Sequence, residues 1–298
     1  MIDHNFIISL RESPLKLSVK AYLQLIRIHN TVGSALSAFM GFAVASKWDF
    51  EPVPLILSML TVSLIAAGGY VINDYYDVEI DRINKPYRPL PSGAVSPDTA
   101  RNLALALMVL GVMFSMFINV WAVLIAVITA VALWEYARWI KRTGLPGNLI
   151  VALFSALSAF YGGLAYFKGD WLFLISIPTV YIFFFTLARE FVKGIEDYEG
   201  DRAHGVATLA VTLGVKRTWA IAKTIILGLL LTSLLPYFLW GFNVAYLAIE
   251  GLMDVILVLS LIQPNDVKSA AKVRGWMKVF AIGTMLAFVL GSSPLIRA

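Results

Sequence analysis

The acidic and amide side chains between residues 73 and 88, directly after an apolar stretch, are the first candidates for chemistry. This segment holds three Asp, one Glu, two Arg and one Lys within sixteen residues. If the preceding helix continues into it, Asn73, Asp77 and Asp81 lie at positions i, i+4 and i+8 and share one helix face. Carboxylates at this spacing repel one another, and a divalent cation would neutralise them. The spacing therefore favours a metal site.

Asn73 and Asp77 are predicted to recur as Asp197 and Asp201, a second pair with the same four-residue spacing 124 residues later that also follows an apolar stretch. Oxygen ligands without Cys or a His cluster select a hard cation, and Mg²⁺ usually combines one or two carboxylates with water and phosphate oxygens. Two clusters therefore predict two Mg²⁺ ions that share a diphosphate. The neighbouring acids point off these faces and are interpreted as helix-end or loop charges: Asp74, Glu79, Glu196 and Glu199.

Basic side chains near the acids suit the remaining oxygens of a diphosphate, because Arg offers a fixed fork of donors and Lys a point charge. The candidates on the predicted inner side are Arg82, Lys85, Arg88, Lys141 and Arg202. The alternative for each is that it only follows the general excess of bases in cytoplasmic loops. Arg27 and Asn30 are polar groups near a helix start, where they either face a cavity or extend to the membrane interface.

Membrane helices are the elements that would position these residues. The 298 residues are 59% hydrophobic and 14% charged, which lies outside the usual soluble range. Charge-free windows recur at the length of roughly 20 residues that a spanning helix needs. We predict an all-α polytopic membrane protein with about nine transmembrane helices, near residues 21–46, 53–76, 99–117, 119–139, 147–167, 170–192, 208–233, 237–262 and 274–296.

The distribution of basic residues predicts the orientation. With the N-terminus inside, the inner loops and their flanking turns hold 21 of the 24 Lys and Arg residues, as expected for cytoplasmic loops. The net charge of +5 is therefore interpreted as a topology signal, and no nucleic-acid partner is expected. Residues 1–20 lack the apolar core of a cleaved signal peptide and are predicted to form an interfacial segment. With no cysteine, disulfides and thiolate metal sites are excluded.

The two acidic clusters indicate an internal repeat. Helices one to four and five to eight would be similar halves with a ninth helix added, and sites between such repeats are frequent in membrane proteins. An ion-coupled transporter shares this plan and is the alternative from another class. A transporter usually binds near the bilayer midplane, whereas these acids lie with Arg, Lys and Pro at one face. Glu250 and Asp254 fit neither cluster and either line a cavity or mark a wrong helix boundary.

Three motifs together resemble the UbiA superfamily of intramembrane prenyltransferases. They are N-D-x-x-D-x-x-x-D at 73–81, R-P-L-P-S-G at 88–93 and D-x-E-G-D at 197–201. The resemblance extends over nearly the whole chain, which is interpreted as one transmembrane prenyltransferase domain, residues 1–298. It implies nine helices around a central cavity, an isoprenyl diphosphate donor, Mg²⁺ and a lipophilic acceptor.

The resemblance also implies roles for individual residues. Asn73, Asp77 and Asp81 would bind one metal and Asp197 and Asp201 the other, while Arg88 and Lys141 would contact the diphosphate. The segments "LIRIHN" and Y-x-x-x-x-K at 136–141 are similar to the family as well. The implied catalytic residues are Asp77, Asp201, Lys141 and Tyr136. The implied substrate-binding residues are Arg27, Asn30, Arg82, Arg88 and Arg202. Ala207 departs from the pattern, since many members carry Lys there.

The acceptor is predicted from one segment, "REFVKGIEDYEGDR", and from the short chain. Both are most similar to archaeal members that transfer a geranylgeranyl group to geranylgeranylglyceryl phosphate in membrane lipid synthesis. The pattern NDxxDxxIDxINxPYRPxPSG is shared with chlorophyll synthases, and quinone-pathway enzymes share the general plan. A chlorophyllide or an aromatic quinone precursor is therefore the alternative acceptor.

Overall fold

The computed structural model describes residues 14–203 and 205–296, and this part of the chain is α-helical without strands. The α-helices are α1 (Pro14–Leu25), α2 (Ile28–Ser46), α3 (Pro52–Tyr76), α4 (Val78–Asn84), α5 (Pro97–Ser115), α6 (Val120–Arg138), α7 (Leu145–Tyr166), α8 (Trp171–Glu196), α9 (Tyr198–Ala203), α10 (Leu209–Leu213), α11 (Val215–Thr232), α12 (Leu235–Trp240), α13 (Val244–Leu261) and α14 (Val267–Gly291).

Nine helical segments in the described residues are long and apolar enough to cross a bilayer. They are α2, α3, α5, α6, α7, α8, α11 with α12, α13 and α14. The predicted fold class and number of spans are confirmed. The short helices α4, α9 and α10 lie in the two loops that follow α3 and α8.

The first predicted span, residues 21–46, is divided in the structure. Arg27 has the left-handed φ of 49°, and this conformation separates α1 from α2. Hydrophobicity alone does not reveal such a break, because apolar residues occur on both sides of it. Of the predicted interfacial segment 1–20, residues 1–13 lie outside the described residues, and the rest belongs to α1.

The seventh and eighth predicted spans, 208–233 and 237–262, begin and end elsewhere in the structure. Gly214, with φ of 85°, separates α10 from α11. Pro236 lacks the N–H that a continuous helix would need, so the span breaks between α11 and α12 and resumes to Trp240. The eighth span therefore begins only at Val244.

The ninth span begins at Val267, earlier than predicted. Asp266 precedes it and accepts a hydrogen bond of 2.7 Å from the Ser269 N–H, which caps the helix. This bond lowers the pKa of the Asp266 carboxyl. The basic residues in the first turns of α14 reduce the local hydropathy. The hydropathy pattern therefore predicts a later start, at residue 274.

Helix packing follows the predicted repeat. In the first half α3 packs against α2 and α5, and in the second half α8 packs against α7 and α11. The halves meet where α2 packs on α7, and α14 packs on α13 and α8. This arrangement brings the ends of α3 and α8, which carry the two acidic clusters, to the same face.

The contact between α2 and α7 depends on small residues. A Cβ added at Gly162 would lie 1.9 Å from the carbonyl oxygen of Ala38, and one at Gly41 would lie 1.8 Å from that of Ala159. Both distances are far inside van der Waals contact, and the neighbour is backbone in each case. The two backbones therefore approach as closely as glycine permits, which is a common way for membrane helices to associate.

Gly162→Ala should destabilise the folded protein, because the new methyl group forces α2 and α7 apart. Overpacking of this kind costs on the order of 1–3 kcal/mol. Gly228→Ala is the matched control, since nothing lies within 4 Å of a Cβ at Gly228 in α11. Thermal unfolding of both variants in detergent is the measurement. Equal melting temperatures for the two would contradict a backbone contact at Gly162.

Candidate active site

The first acidic cluster lies where α3 passes into α4. Asp77 separates the two helices, its N–H donates to the Asn73 carbonyl at 3.1 Å, and the Asp81 N–H donates to the Asp77 carbonyl at 2.8 Å. The helical hydrogen-bond pattern therefore continues across the junction. As the spacing predicts, successive turns of one helical path carry the three residues.

Lys141 connects Asn73 and Asp77. Its ammonium nitrogen lies 2.6 Å from Asp77 Oδ1 and 3.3 Å from Asn73 Oδ1, and Asn73 Nδ2 donates to Asp77 Oδ2 at 3.2 Å. Lys141 reaches this position from the 3₁₀ turn Ile140–Arg142, which follows α6. The turn after α6 thus supplies a positive charge to the end of α3, although the two segments are far apart in sequence.

Asp74 and Asp81 form a second set of contacts with two guanidinium groups. Asp74 Oδ1 lies 2.6 Å from Arg27 Nη2 and 3.2 Å from Arg88 Nη1, and Asp81 Oδ2 lies 2.6 Å from Arg88 Nη1. Each of the two carboxylate side chains is only 7% exposed. Buried carboxylates need such partners, because the unpaired charge would be costly.

Sequence reasoning interprets Asp74 as a helix-end or loop charge and misses its partners. Asp74 does lie in the last turn of α3, where the structure buries it between Arg27 and Arg88. A signal was present in the spacing, since Asp74 and Asp81 are seven residues apart and two helical turns return them to one face. The left-handed Arg27 also places its guanidinium 5.3 Å from the ring centre of Tyr70.

The second acidic cluster repeats the geometry of the first. Asp197 separates α8 from α9, and the Asp201 N–H donates to the Asp197 carbonyl at 2.9 Å. Asp197 therefore corresponds to Asp77, and Asp201 to Asp81. The prediction that Asp197 corresponds to Asn73 is therefore wrong by one helical turn. The position equivalent to Asn73 is Lys193, whose Nζ lies 4.0 Å from Asp197 Oδ2.

Three predicted substrate-binding residues do not line the central cavity, since Arg88 lines a neighbouring cavity and Arg82 and Arg202 are exposed. Arg82 is exposed and pairs with Glu79 at 2.9 Å, three residues earlier in α4. Arg202 donates to the Tyr198 hydroxyl at 3.2 Å in an exposed position of α9. The structure does not bring either guanidinium to the lining of the cavity.

A central cavity of about 770 Å³ begins at the acidic face and extends between the helices. Asn30, Asn73 and Tyr136 line it at that face. Its charged lining consists of five basic residues and one acid, which are Arg27, Arg189, Lys193, Arg274, Lys278 and Glu190. Farther from the acidic loops the lining is mainly apolar and aromatic, with Met40, Ile125, Tyr161, Phe185 and Phe288 among its residues. The cavity thus has one cationic end and one apolar end.

Sequence reasoning missed the contribution of α14 to this cavity. Arg274 and Lys278 are four residues apart and share a helix face. Their spacing inside an apolar segment was the available signal, because charges at membrane depth usually face a cavity or a partner. Arg274 also donates a hydrogen bond of 2.9 Å to Glu196, and this bond joins α14 to the end of α8.

A second cavity of about 800 Å³ lies beside the first, between α1, the start of α2 and the proline-rich loop. Lys20, Tyr87 and Arg88 contribute to its lining. Arg27, His29 and Asn30 line both cavities. The start of α2 is therefore the common wall between them.

The donor atoms of the acidic clusters fit Mg²⁺ in chemistry, since all are carboxylate or amide oxygens. Within the described residues, no three His, Cys, Asp or Glu side chains are already grouped as a metal site. Asp77 and Asp81 instead contact Lys141 and Arg88. The structure thus supplies suitable ligands, and in the first cluster each carboxylate lies beside a basic side chain that suits phosphate oxygens.

The chain is similar to known proteins in sequence and in fold. Residues 34–283 match the UbiA prenyltransferase family. A digeranylgeranylglyceryl phosphate synthase from Sulfurisphaera tokodaii is 55% identical over 279 residues, which cover 94% of this chain and 100% of the relative. A solved structure of digeranylgeranylglyceryl phosphate synthase has a TM-score of 0.77 and 33% identity, and the match covers 92% of this chain and 98% of that one. A UbiA homologue from Archaeoglobus fulgidus, bound to GPP and Mg²⁺, shares the fold with a TM-score of 0.61 and 19% identity, over 90% of this chain and 99% of that one.

Asp74→Asn should destabilise the protein, because it removes the charge that Arg27 and Arg88 share in a largely buried position. Since the two arginines are partly exposed, we expect a loss of roughly 1–3 kcal/mol rather than the full cost of a buried unpaired charge. Glu79→Gln is the control, because the exposed pair with Arg82 contributes at most about 1 kcal/mol. The measurement is the thermal unfolding temperature of both variants. An equal decrease for Asp74→Asn and Glu79→Gln would show that the Asp74 cluster does not stabilise the fold.

Proposed function

This chain belongs to the UbiA prenyltransferase family, and on that premise we propose that it transfers a geranylgeranyl group from geranylgeranyl diphosphate to geranylgeranylglyceryl phosphate. The observation that carries the proposal is the central cavity, which is cationic at one end and apolar at the other. An isoprenyl diphosphate has the complementary distribution, with charge at one end and a long apolar chain. The names of the relatives that cover nearly the whole chain favour the same reaction.

The basic residues would bind the diphosphate and stabilise it as it leaves. Positioned cations are effective where negative charge develops, and more so in a site from which water is excluded. Asp77 and Asp81 hold Lys141 and Arg88 at the acidic face, and Arg189, Lys193 and Lys278 line the wall of the central cavity. The charge on the diphosphate thus meets several fixed positive groups.

Two Mg²⁺ ions would be held by the acidic clusters, one by Asn73, Asp77 and Asp81 and one by Asp197 and Asp201. When bound, they would supply further neutralisation of the diphosphate. The oxygen donors of both clusters and their position at the ends of α3 and α8 support this assignment.

The reaction breaks the bond between the allylic carbon and the diphosphate oxygen and forms an ether bond from that carbon to the acceptor hydroxyl, whose proton is released. The aromatic rings of Tyr70 and Tyr136 line the cavity, where their faces can stabilise a carbon that gains positive charge. The apolar wall excludes water that would otherwise capture this carbon. Tyr136 is held edge-on against Phe154, with ring centres 6.4 Å apart.

A phosphate on the acceptor explains the number of bases. An acceptor phosphate brings up to two more negative charges to the cavity, and Arg27, Arg189 and Lys193 are candidates to bind it. All three line the central cavity, together with Arg274 and Lys278. A chlorophyllide or aromatic acceptor would need fewer cations, so the geometry favours the glyceryl phosphate. Family membership sets aside the transporter alternative.

The protein is an integral, multi-pass membrane protein, and we place its N-terminal side and its acidic loops in the cytoplasm. The distribution of Lys and Arg supports this orientation. The charged groups of both substrates would then bind on the cytoplasmic side of the bilayer, and their chains would lie within the membrane.

Asp77→Asn and Asp201→Asn should each abolish prenyl transfer while the purified protein stays folded, because an amide is a poorer metal ligand than a carboxylate. EDTA should inhibit the wild-type enzyme, and added Mg²⁺ should restore it. Glu79→Gln is the control for loss of a nearby acid that faces solvent. Transfer at the wild-type rate in both variants, or after exhaustive chelation, would refute the metal assignment.

The acceptor can be identified with purified enzyme, geranylgeranyl diphosphate and Mg²⁺ in parallel reactions. The acceptors are geranylgeranylglyceryl phosphate, an aromatic acid, a naphthoate and chlorophyllide, and products are detected by mass. We expect product only with the glyceryl phosphate. Product from a ring or chlorophyllide acceptor, and none from the glyceryl phosphate, would replace the proposed acceptor and leave the family assignment unchanged.

A further inference from the structure

Two acidic residues inside the eighth span have no role in the reaction described above. Glu250 and Asp254 lie on α13, four residues apart and therefore on one face. Glu250 is 1% exposed. Within the described residues, no ion pair joins either carboxylate to a basic side chain. Acids at membrane depth without a basic partner are rare, and they usually mark a function.

Each carboxylate has one oxygen with a hydrogen-bond donor and one without. The Thr284 hydroxyl donates to Glu250 Oε1 at 3.2 Å, and the Ser233 hydroxyl donates to Asp254 Oδ2 at 2.7 Å. Glu250 Oε2 and Asp254 Oδ1 are buried and have no hydrogen-bond partner. A buried charged oxygen without a partner carries a large desolvation cost. Each of these carboxyl groups therefore needs either a proton or a positive partner.

The broken seventh span adds backbone oxygens beside these acids. Because Pro236 has no N–H, the Thr232 carbonyl lacks its helical donor and accepts from the Tyr181 hydroxyl instead. The Ser233 carbonyl is also released, since the Tyr237 N–H donates to Leu234, and it accepts from the Tyr246 hydroxyl at 2.7 Å.

This break also places the end of a helix dipole near the acids. The carbonyl end of α11 carries partial negative charge, and Ser233 at that end contacts Asp254. One proton on each carboxyl would neutralise the two acids but would leave the negative helix end uncompensated. A cation would compensate the negative charge of both carboxylates and of the helix end. In other membrane proteins, half-helix ends with released carbonyls hold cations.

We propose that Glu250, Asp254 and the broken end of α11 form a structural site for a divalent cation of the Ca²⁺ type. One divalent ion balances two carboxylates. Ca²⁺ accepts carboxylate, carbonyl and hydroxyl oxygens in flexible geometry, whereas Mg²⁺ usually retains several waters, for which a buried site offers little room. Thr284, which contacts Glu250, also lines the central cavity, so the ion has a route from that cavity.

The site would join three helices that lie behind the cavity wall. Its oxygens come from α13, from Thr284 on α14 and from Ser233 at the end of α11. A ligand that binds only the folded state raises the melting temperature in a saturable way. Stability that depends on Ca²⁺ while Mg²⁺ is in excess is therefore the expected signature.

The experiment titrates Ca²⁺ into the full-length protein in detergent at constant excess Mg²⁺ and follows thermal unfolding. We expect a saturable rise of several degrees for the wild type, and none for Glu250→Gln or Asp254→Asn. Asp77→Asn and Asp201→Asn should keep the rise, which separates this site from the proposed active-site metals. Glu199→Gln controls for the loss of an acid outside both sites.

Three results would overturn the proposal. They are a wild-type melting temperature that does not respond to Ca²⁺, a response that persists in both Glu250→Gln and Asp254→Asn, and a response to Na⁺ with none to Ca²⁺. The first result together with a pH-dependent melting temperature would assign a shared proton to the pair. If the two variants do not fold, calorimetry on folded Asp77→Asn protein decides, since one bound Ca²⁺ per chain in excess Mg²⁺ supports the site and none refutes it.

Discussion

Asp74 accepts hydrogen bonds from Arg27 and Arg88 in a position that is almost closed to water. A carboxylate cannot stay ionised there without cationic partners, so the chain has to bring both guanidinium groups to it. This requirement connects three segments, namely the junction of α1 and α2, the last turn of α3 and the proline-rich loop. The left-handed conformation of Arg27 follows from the same need, since it directs the side chain to the end of α3. The rest of the acidic face is built around this ion cluster.

The same rule of charge compensation distinguishes the two ends of the helix bundle. On the face with the acidic loops, each predicted metal ligand of the first cluster contacts a base, and basic residues dominate the cavity wall. Deeper in the membrane, Glu250 and Asp254 accept hydrogen bonds from hydroxyl groups instead. One set of acids is thus matched to phosphate-binding cations, while the other set is left with an unmatched charge.

The fold class and the number of spans could be predicted because apolar segments of bilayer length are a property of local composition. The break at Arg27 could not, since it depends on the backbone conformation of a single residue. The predicted gap at 234–236 coincides with the break at Pro236, but hydropathy does not show that the seventh span resumes after it to Trp240. The first cluster was found from its helical spacing. The burial of Asp74 could not be predicted because it comes from Arg27 and Arg88 in other segments of the chain, and the basic residues of α14 reach the cavity only through tertiary packing. The short motif of the second cluster gave a repeat register that was wrong by one turn.

The close approach of Gly41 and Gly162 to the opposite backbone has a mechanical consequence. Two helices that touch through backbone atoms cannot slide or separate without losing that contact, because no flexible side chains lie between them to adjust. The seam between α2 and α7 therefore acts as a rigid spine that keeps the two halves in register. If the cavity widens when a lipid chain enters or a product leaves, the movement has to come from helices away from this spine, such as α14.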